Sequence, residues 1–123
     1  MNARTKIGAT LLLGVLLASV ASAEPPTSVQ IEVNYLLGYI EGSGCEFYRN
    51  GTWYDSQMAQ SHLRDKYKAL VARNLVNTTE QFIERAATES SLSGEPYQVR
   101  CNGSAPLTTN RWMHEKLAHF RTF

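Results

Sequence analysis

The 123-residue sequence holds only two cysteines and three histidines, and it has no C-x-x-C string. That leaves no thioredoxin-like redox motif and no cysteine-rich metal site. His114 and His119 stand five apart rather than the three or four that would stack two ligands on a helix. No acidic cluster accompanies them, so they are expected to face solvent, with no metal and no cofactor. G-x-S-x-G and S-x-x-K strings are also missing, which removes the local signatures of common serine acyl-transfer enzymes. Charge of one sign is not in excess: twelve Lys and Arg face eleven Asp and Glu. Such a balance argues against a nucleic-acid partner, which calls for basic charge gathered on one surface. There is no internal repeat, low-complexity tract or linker long enough to divide the chain.

The single long apolar run is at the start. Arg4 and Lys6 precede Ile7 through Val20, and Ala21-Ser22-Ala23 precedes Glu24. This is the order of a secretory signal: positive charge, an apolar segment, then small residues that fit the peptidase. The run is shorter than the ~20 residues that cross a bilayer and is followed at once by Glu24-Pro25-Pro26. Cleavage is therefore expected between Ala23 and Glu24. Residues 1–23 are then the signal peptide, and 24–123 form one domain without stable membrane insertion, exported to a bacterial periplasm or secreted. The mature chain keeps ten Lys and Arg against eleven acidic residues, a formal charge of −1.

In an oxidising compartment Cys45 and Cys101 are most simply a disulfide. Closing that loop predicts about 4 kcal/mol of stabilisation. The competing reading is a reactive thiol served by His62.

Along the mature chain, Thr27-Ser28-Val29-Gln30 has the form of a capping box opening a first helix. Val29, Val33, Leu36, Leu37 and Ile40 give that helix one buried stripe. Asn50-Gly51 between two aromatic runs predicts a hairpin in which Tyr48 faces Trp53 and Phe47 faces Tyr54. One pair should pack inward. Asp55 or Ser56 caps a second helix with an apolar arc of Ala59, Leu63, Tyr67, Leu70 and Val71. His62, Lys66 and Arg73 lie along one edge of that arc. The Lys66 stem should be covered and its ammonium directed. Thr78-Thr79-Glu80-Gln81 opens a third helix. Glu95 to Cys101 alternates as a strand, Asn102 to Pro106 is a loop, and a fourth helix runs from about Thr109 to Arg121. The fold class is α+β, a small antiparallel sheet made of the hairpin plus a third strand, packed against about four helices.

Four strings occur in order: Phe47-Tyr48-Arg49-Asn50-Gly51, Ser61-His62-Leu63-Arg64-Asp65-Lys66, Thr79-Glu80-Gln81-Phe82-Ile83, and Ser90-Ser91-Leu92-Ser93-Gly94-Glu95-Pro96-Tyr97. With this spacing the chain resembles the exported bacterial proteins grouped as the domain of unknown function 5329 family, from about Val33 to Arg100. The resemblance implies a secretory signal and a single domain, and no particular activity. It directs attention to the Arg-Asn-Gly turn, the His-Leu-x-x-Lys helix and the Ser-Ser-x-x-Gly segment.

His62 and Lys66 are four apart and share a helical face. With Arg49, Tyr97 and the hydroxyls of Ser90, Ser91 and Ser93 they could line a site for an anionic group, the cations giving charge-assisted bonds and the hydroxyls fixing orientation. The bland alternative pairs His62 and Lys66 with Asp55, Asp65 or another carboxylate, merely stitching helix to sheet. The aromatic residues Tyr48, Trp53 and Tyr54 are either core or a platform for a sugar or peptide. The leading expectation is a non-catalytic binding or accessory module for a periplasmic protein or cell-envelope component. The alternative is a small envelope hydrolase using His62 with a serine of the Ser90–Ser93 segment.

Overall fold

A computed structural model describes residues 24–123; the proposed signal peptide, residues 1–23, lies outside the described residues. Helix α1, Thr27–Gly42, buries the whole predicted stripe of Val29, Val33, Leu36, Leu37 and Ile40. The expected Thr27 cap does not form. Pro26 is the N-cap, without a side-chain bond, and its carbonyl accepts from the Val29 and Gln30 amides. Gln30 donates through Nε2 to the Pro25 carbonyl at 2.7 Å. Proline fixes φ in advance, so the helix starts on a preset backbone rather than on a hydroxyl.

Strands β1, Glu46–Arg49, and β2, Thr52–Tyr54, form the hairpin in the predicted register, Phe47 opposite Tyr54 and Tyr48 opposite Trp53. Asn50 and Gly51 take φ of 50° and 88°, the double left-handed turn that this dipeptide favours. Phe47 is the inward member and is buried. Tyr48 and Trp53 stack edge to face on the other side, where Arg100 covers the Trp53 ring at 3.9 Å.

Helix α2, Ser56–Ala72, is capped by Asp55, whose Oδ1 accepts from the Met58 amide at 2.8 Å. Ala59 and Leu63 are buried, and Tyr67, Leu70 and Val71 pack partly buried against the core. Helix α3, Thr79–Ala86, has Thr78 as its cap. Gln81 reaches back to the amide of Asn77 at 2.7 Å, one residue earlier than a regular capping box.

The third strand is shorter than the alternation suggests: β3 is Gln98–Arg100. Pro96 has no N–H to give a ladder, and the Tyr97 amide goes to the Thr88 carbonyl instead. A fourth strand, absent from the sequence reading, is β4, Leu107–Thr108, paired with β3. Two residues are too few to show any alternation. The sheet is antiparallel throughout, in the order β2-β1-β3-β4.

Helix α4, Thr109–Phe120, follows β4 directly, with Thr108 as its cap. Trp112, Met113 and Leu117 are buried, and Trp112 meets Phe47 edge to face at 5.6 Å. The core is centred on α1, Phe82, Ile83, Val99 and Met113, all on the helix side of the sheet. This is the α+β fold expected, with four strands rather than three. A Cys45–Cys101 disulfide joins the chain beside the pair Glu46 and Arg100, fastening β1 to β3. No helix among the described residues is long and apolar enough to cross a membrane.

Candidate functional site

Strand alternation puts Arg49 on the same face of β1 as Phe47, toward the helices. The β1–β3 register pairs Tyr48 with Gln98; continued by one residue, it sets Arg49 opposite Tyr97. Above them runs α2, whose one-turn spacing presents His62 and Lys66 together. Four residues from three segments therefore meet at the hairpin end of the sheet.

Arg49 Nη1 lies 3.1 Å from Nδ1 and 3.2 Å from Nε2 of His62. His62 Nε2 is 3.1 Å from the Tyr97 phenol oxygen. Lys66 Nζ donates to that same oxygen at 3.1 Å and to the Glu89 carbonyl at 3.2 Å. Nearly equal distances to both ring nitrogens put Nη1 over the imidazole rather than in line with either lone pair, so the contact sets a permanent cation against the ring and disfavours its protonation. Electrostatics agrees. Burial holds the His62 pKa below its ordinary value, and the Arg49 and Lys66 charges push it the same way, against a smaller opposing effect of Asp65. Burial, then Arg49, also lowers the Lys66 pKa, opposed by Glu89. The Tyr97 phenol is raised by burial, with Arg49 opposing.

Arg49, His62 and Tyr97 line a cavity of about 310 Å³ whose walls also include Phe47, Tyr54, Met58, Ala59, Leu63 and, as its one carboxylate, Asp65; Lys66 reaches the Tyr97 phenol but does not line the cavity. Arg49 also lies 5.3 Å from the centre of the Tyr54 ring. Among the described residues, no carboxylate forms a salt bridge with Arg49 or Lys66. The expected pairing of His62 and Lys66 with Asp55 or Asp65 is absent: Asp55 caps α2, and the contacts of His62 and Lys66 are Arg49, Tyr97 and a carbonyl. Arg73 is exposed and outside the cluster.

The serine segment is a separate, adjoining structure. Ser90 is 4% exposed, and its Oγ accepts from the Leu92 amide at 3.1 Å and from Asn50 Nδ2 at 3.0 Å. Ser93 Oγ donates to Asn50 Oδ1. Both serines thus clamp the hairpin turn. Ser91 is exposed and is not drawn into the Arg49–His62–Lys66–Tyr97 cluster. Among the described residues, neither a serine hydroxyl nor a carboxylate hydrogen-bonds His62. The nucleophile–base–acid chain that the hydrolase alternative needs is therefore not assembled.

His114 is not simply solvent-facing, since its Nε2 lies 3.0 Å from Glu84 Oε2. No group of three His, Cys, Asp or Glu side chains suited to a metal occurs among the described residues.

Sequence reasoning missed two contributors. Asn50, read as a turn residue, also uses its amide to hold the serine loop. Thr109, read as a helix start, lines the cavity; it is 1% exposed, and its Oγ1 has no hydrogen-bond partner among the described residues. An orphan buried hydroxyl costs about 1–3 kcal/mol. Only the β4–α4 junction places it there, and no local motif signals that junction.

A family model described as "Family of unknown function (DUF5329)" matches residues 27–121. The "Uncharacterized protein YfeK" of Salmonella typhimurium is 33% identical over 87 residues, covering 70% of this chain and 71% of that protein. No solved structure matches. With nearly the whole described domain matched by the family model, the chain belongs to the DUF5329 family.

Proposed function

We propose that this protein is a non-catalytic periplasmic binding module, released by cleavage between Ala23 and Glu24. It takes an anionic group of a cell-envelope component or periplasmic protein at Arg49, His62, Lys66 and Tyr97. Ser91 and Ser93 on the adjoining turn meet the rest of the partner. The observation that carries this reading is the pair of half-buried cations, Arg49 in the wall of an apolar cavity and Lys66 on the Tyr97 phenol, which form no salt bridge among the described residues. A half-buried cation normally recruits a carboxylate in direct contact; here the directly contacting groups are an imidazole, a phenol and a carbonyl, with Asp65 and Glu89 acting only from farther off. An incoming anion completes the set.

Hexanoate and hexylammonium share an apolar chain and differ in charge, so titrating each into the isotope-labelled mature domain tests the proposal by NMR. Hexanoate should shift the Arg49, His62 and Tyr97 resonances, and hexylammonium should not. Equal responses to both, or hexanoate affinity unchanged by Lys66→Ala and His62→Ala in folded variants, would overturn the anion site. An intact mass beginning at Glu24 in protein from the producing cell tests export.

A further inference from the structure

Two opposite charges line the cavity without meeting. Arg49 belongs to its sheet wall and Asp65 to its α2 wall, and among the described residues neither forms a salt bridge, with the other or with any third group. Both act on His62 in opposite directions, Arg49 disfavouring and Asp65 favouring its protonation. Arg49 Nη1 is 3.1 Å from the His62 ring, and Asp65 follows His62 by three residues on the helix, a rise of about 4.5 Å. Elsewhere the wall is mostly apolar. Phe47 and Leu63 are its buried part, while Met58 and Asp65 are exposed to solvent. The volume of about 310 Å³ is at the small end of the ~300–1,000 Å³ typical of ligand pockets, a size for one residue rather than a peptide or glycan chain.

Resting on the anion-site reading above, we propose that the anion is the carboxylate of an α-amino-acid head, whose ammonium faces Asp65 and whose apolar stem fills the cavity. A plain carboxylate at Arg49 would lie within range of a second negative charge that has no cation of its own, and the repulsion would weaken its binding. An ammonium on the adjacent carbon cancels that repulsion and gives Asp65 a partner. Two ligand charges on one carbon suit two protein charges about one helical turn apart. The stem adds affinity, because each CH2 moved from water onto Phe47, Leu63 and Met58 strengthens binding about fourfold. Such a head belongs to a free amino acid, or to an envelope component that carries one at the end of a chain.

The test adds L- and D-norleucine, which are hexanoate with an α-ammonium, to the NMR titration of hexanoate, using the wild-type mature domain, Asp65→Asn and Arg49→Gln. The better norleucine enantiomer should bind the wild type about 2- to 5-fold more tightly than hexanoate, the worth of an exposed ion pair. Asp65→Asn changes an exposed side chain and should remove that preference, with hexanoate bound no less tightly than before. Arg49→Gln should weaken both ligands about tenfold or more. A wild type that binds norleucine no more tightly than hexanoate, or a preference that survives Asp65→Asn, would overturn the α-amino-acid head while Arg49 dependence still upholds the anion site. Arg49→Gln binding both ligands like the wild type would overturn the anion site and this inference together. Nε-acetyl-lysine separates the two sources of the head: affinity like that of norleucine shows that the chain can continue past the cavity to an envelope component, and binding at least about tenfold weaker assigns the site to a free amino acid.

Discussion

The Arg49 guanidinium stands 3.1 Å from Nδ1 of His62, a permanent cation against an imidazole with no salt-bridging carboxylate on either side among the described residues. That contact makes protonation of His62 unfavourable in the folded state.

The first prediction follows from its sign. The folded pKa of His62 lies below the ordinary 6.5, so the unfolded chain takes up the proton first as pH falls. Stability from this residue is complete above about pH 6.5 and is lost progressively toward the lower folded value. Melting temperature should therefore decline as pH falls below about 6.5 in the wild type and much less in His62→Gln. Parallel curves for the two proteins would contradict the assignment.

A second acid-sensitive region belongs to Arg121, which donates to Glu32 at 2.8 Å and to Glu80 at 2.6 Å, joining the end of α4 to α1 and α3. Arg121 holds both carboxyls below their ordinary 4.5, and stability present above that value is lost as pH falls through the lowered one. Arg121 is 43% exposed, so Arg121→Leu should cost only about 1 kcal/mol in urea denaturation at pH 7. The variant should also flatten the decline below pH 4.5.

Reduction of the Cys45–Cys101 bond opens a loop of sequence separation 56 and should remove about 4 kcal/mol, mostly through the unfolded state. Urea midpoints with and without a phosphine reductant measure it. Retention of the same circular-dichroism spectrum after reduction under native conditions would show that the hydrophobic core alone still holds the sheet.

Asn50 has two roles that two substitutions separate. Its φ of 50° favours Asn or Gly, and its side chain bonds Ser90 and Ser93. Asn50→Gly keeps the turn and loses the clamp, at about 1 kcal/mol. Asn50→Ala loses the clamp and also strains the turn, adding about 1–2 kcal/mol. Only the clamp should affect hydrogen exchange in the 90–94 loop, so both variants should speed it equally.

Much of this structure was legible because the signals were local. The five apolar positions of α1 lie at helical spacing, and all five are buried. Asn-Gly set the hairpin register directly, and Asp55 and Thr78 cap the helices they precede. Thr27 misled because a capping-box spelling cannot reveal that Pro25 and Pro26 already fix the entry. Strand β4 went unseen because two residues are too few to show any alternation.

The sequence by itself determined the four helices, the hairpin and its register, and the face of α2 that carries His62 and Lys66, because helical and strand periodicities follow from covalent geometry. Only the tertiary structure decided what that face meets. Antiparallel pairing of β1 with β3 brings Arg49 and Tyr97 beneath α2, separates Ser91 from them, and the β4–α4 junction puts Thr109 in the cavity wall. Those distances depend on which strands neighbour each other, a choice made by the packing of the whole core around α1 rather than by any local run of residues.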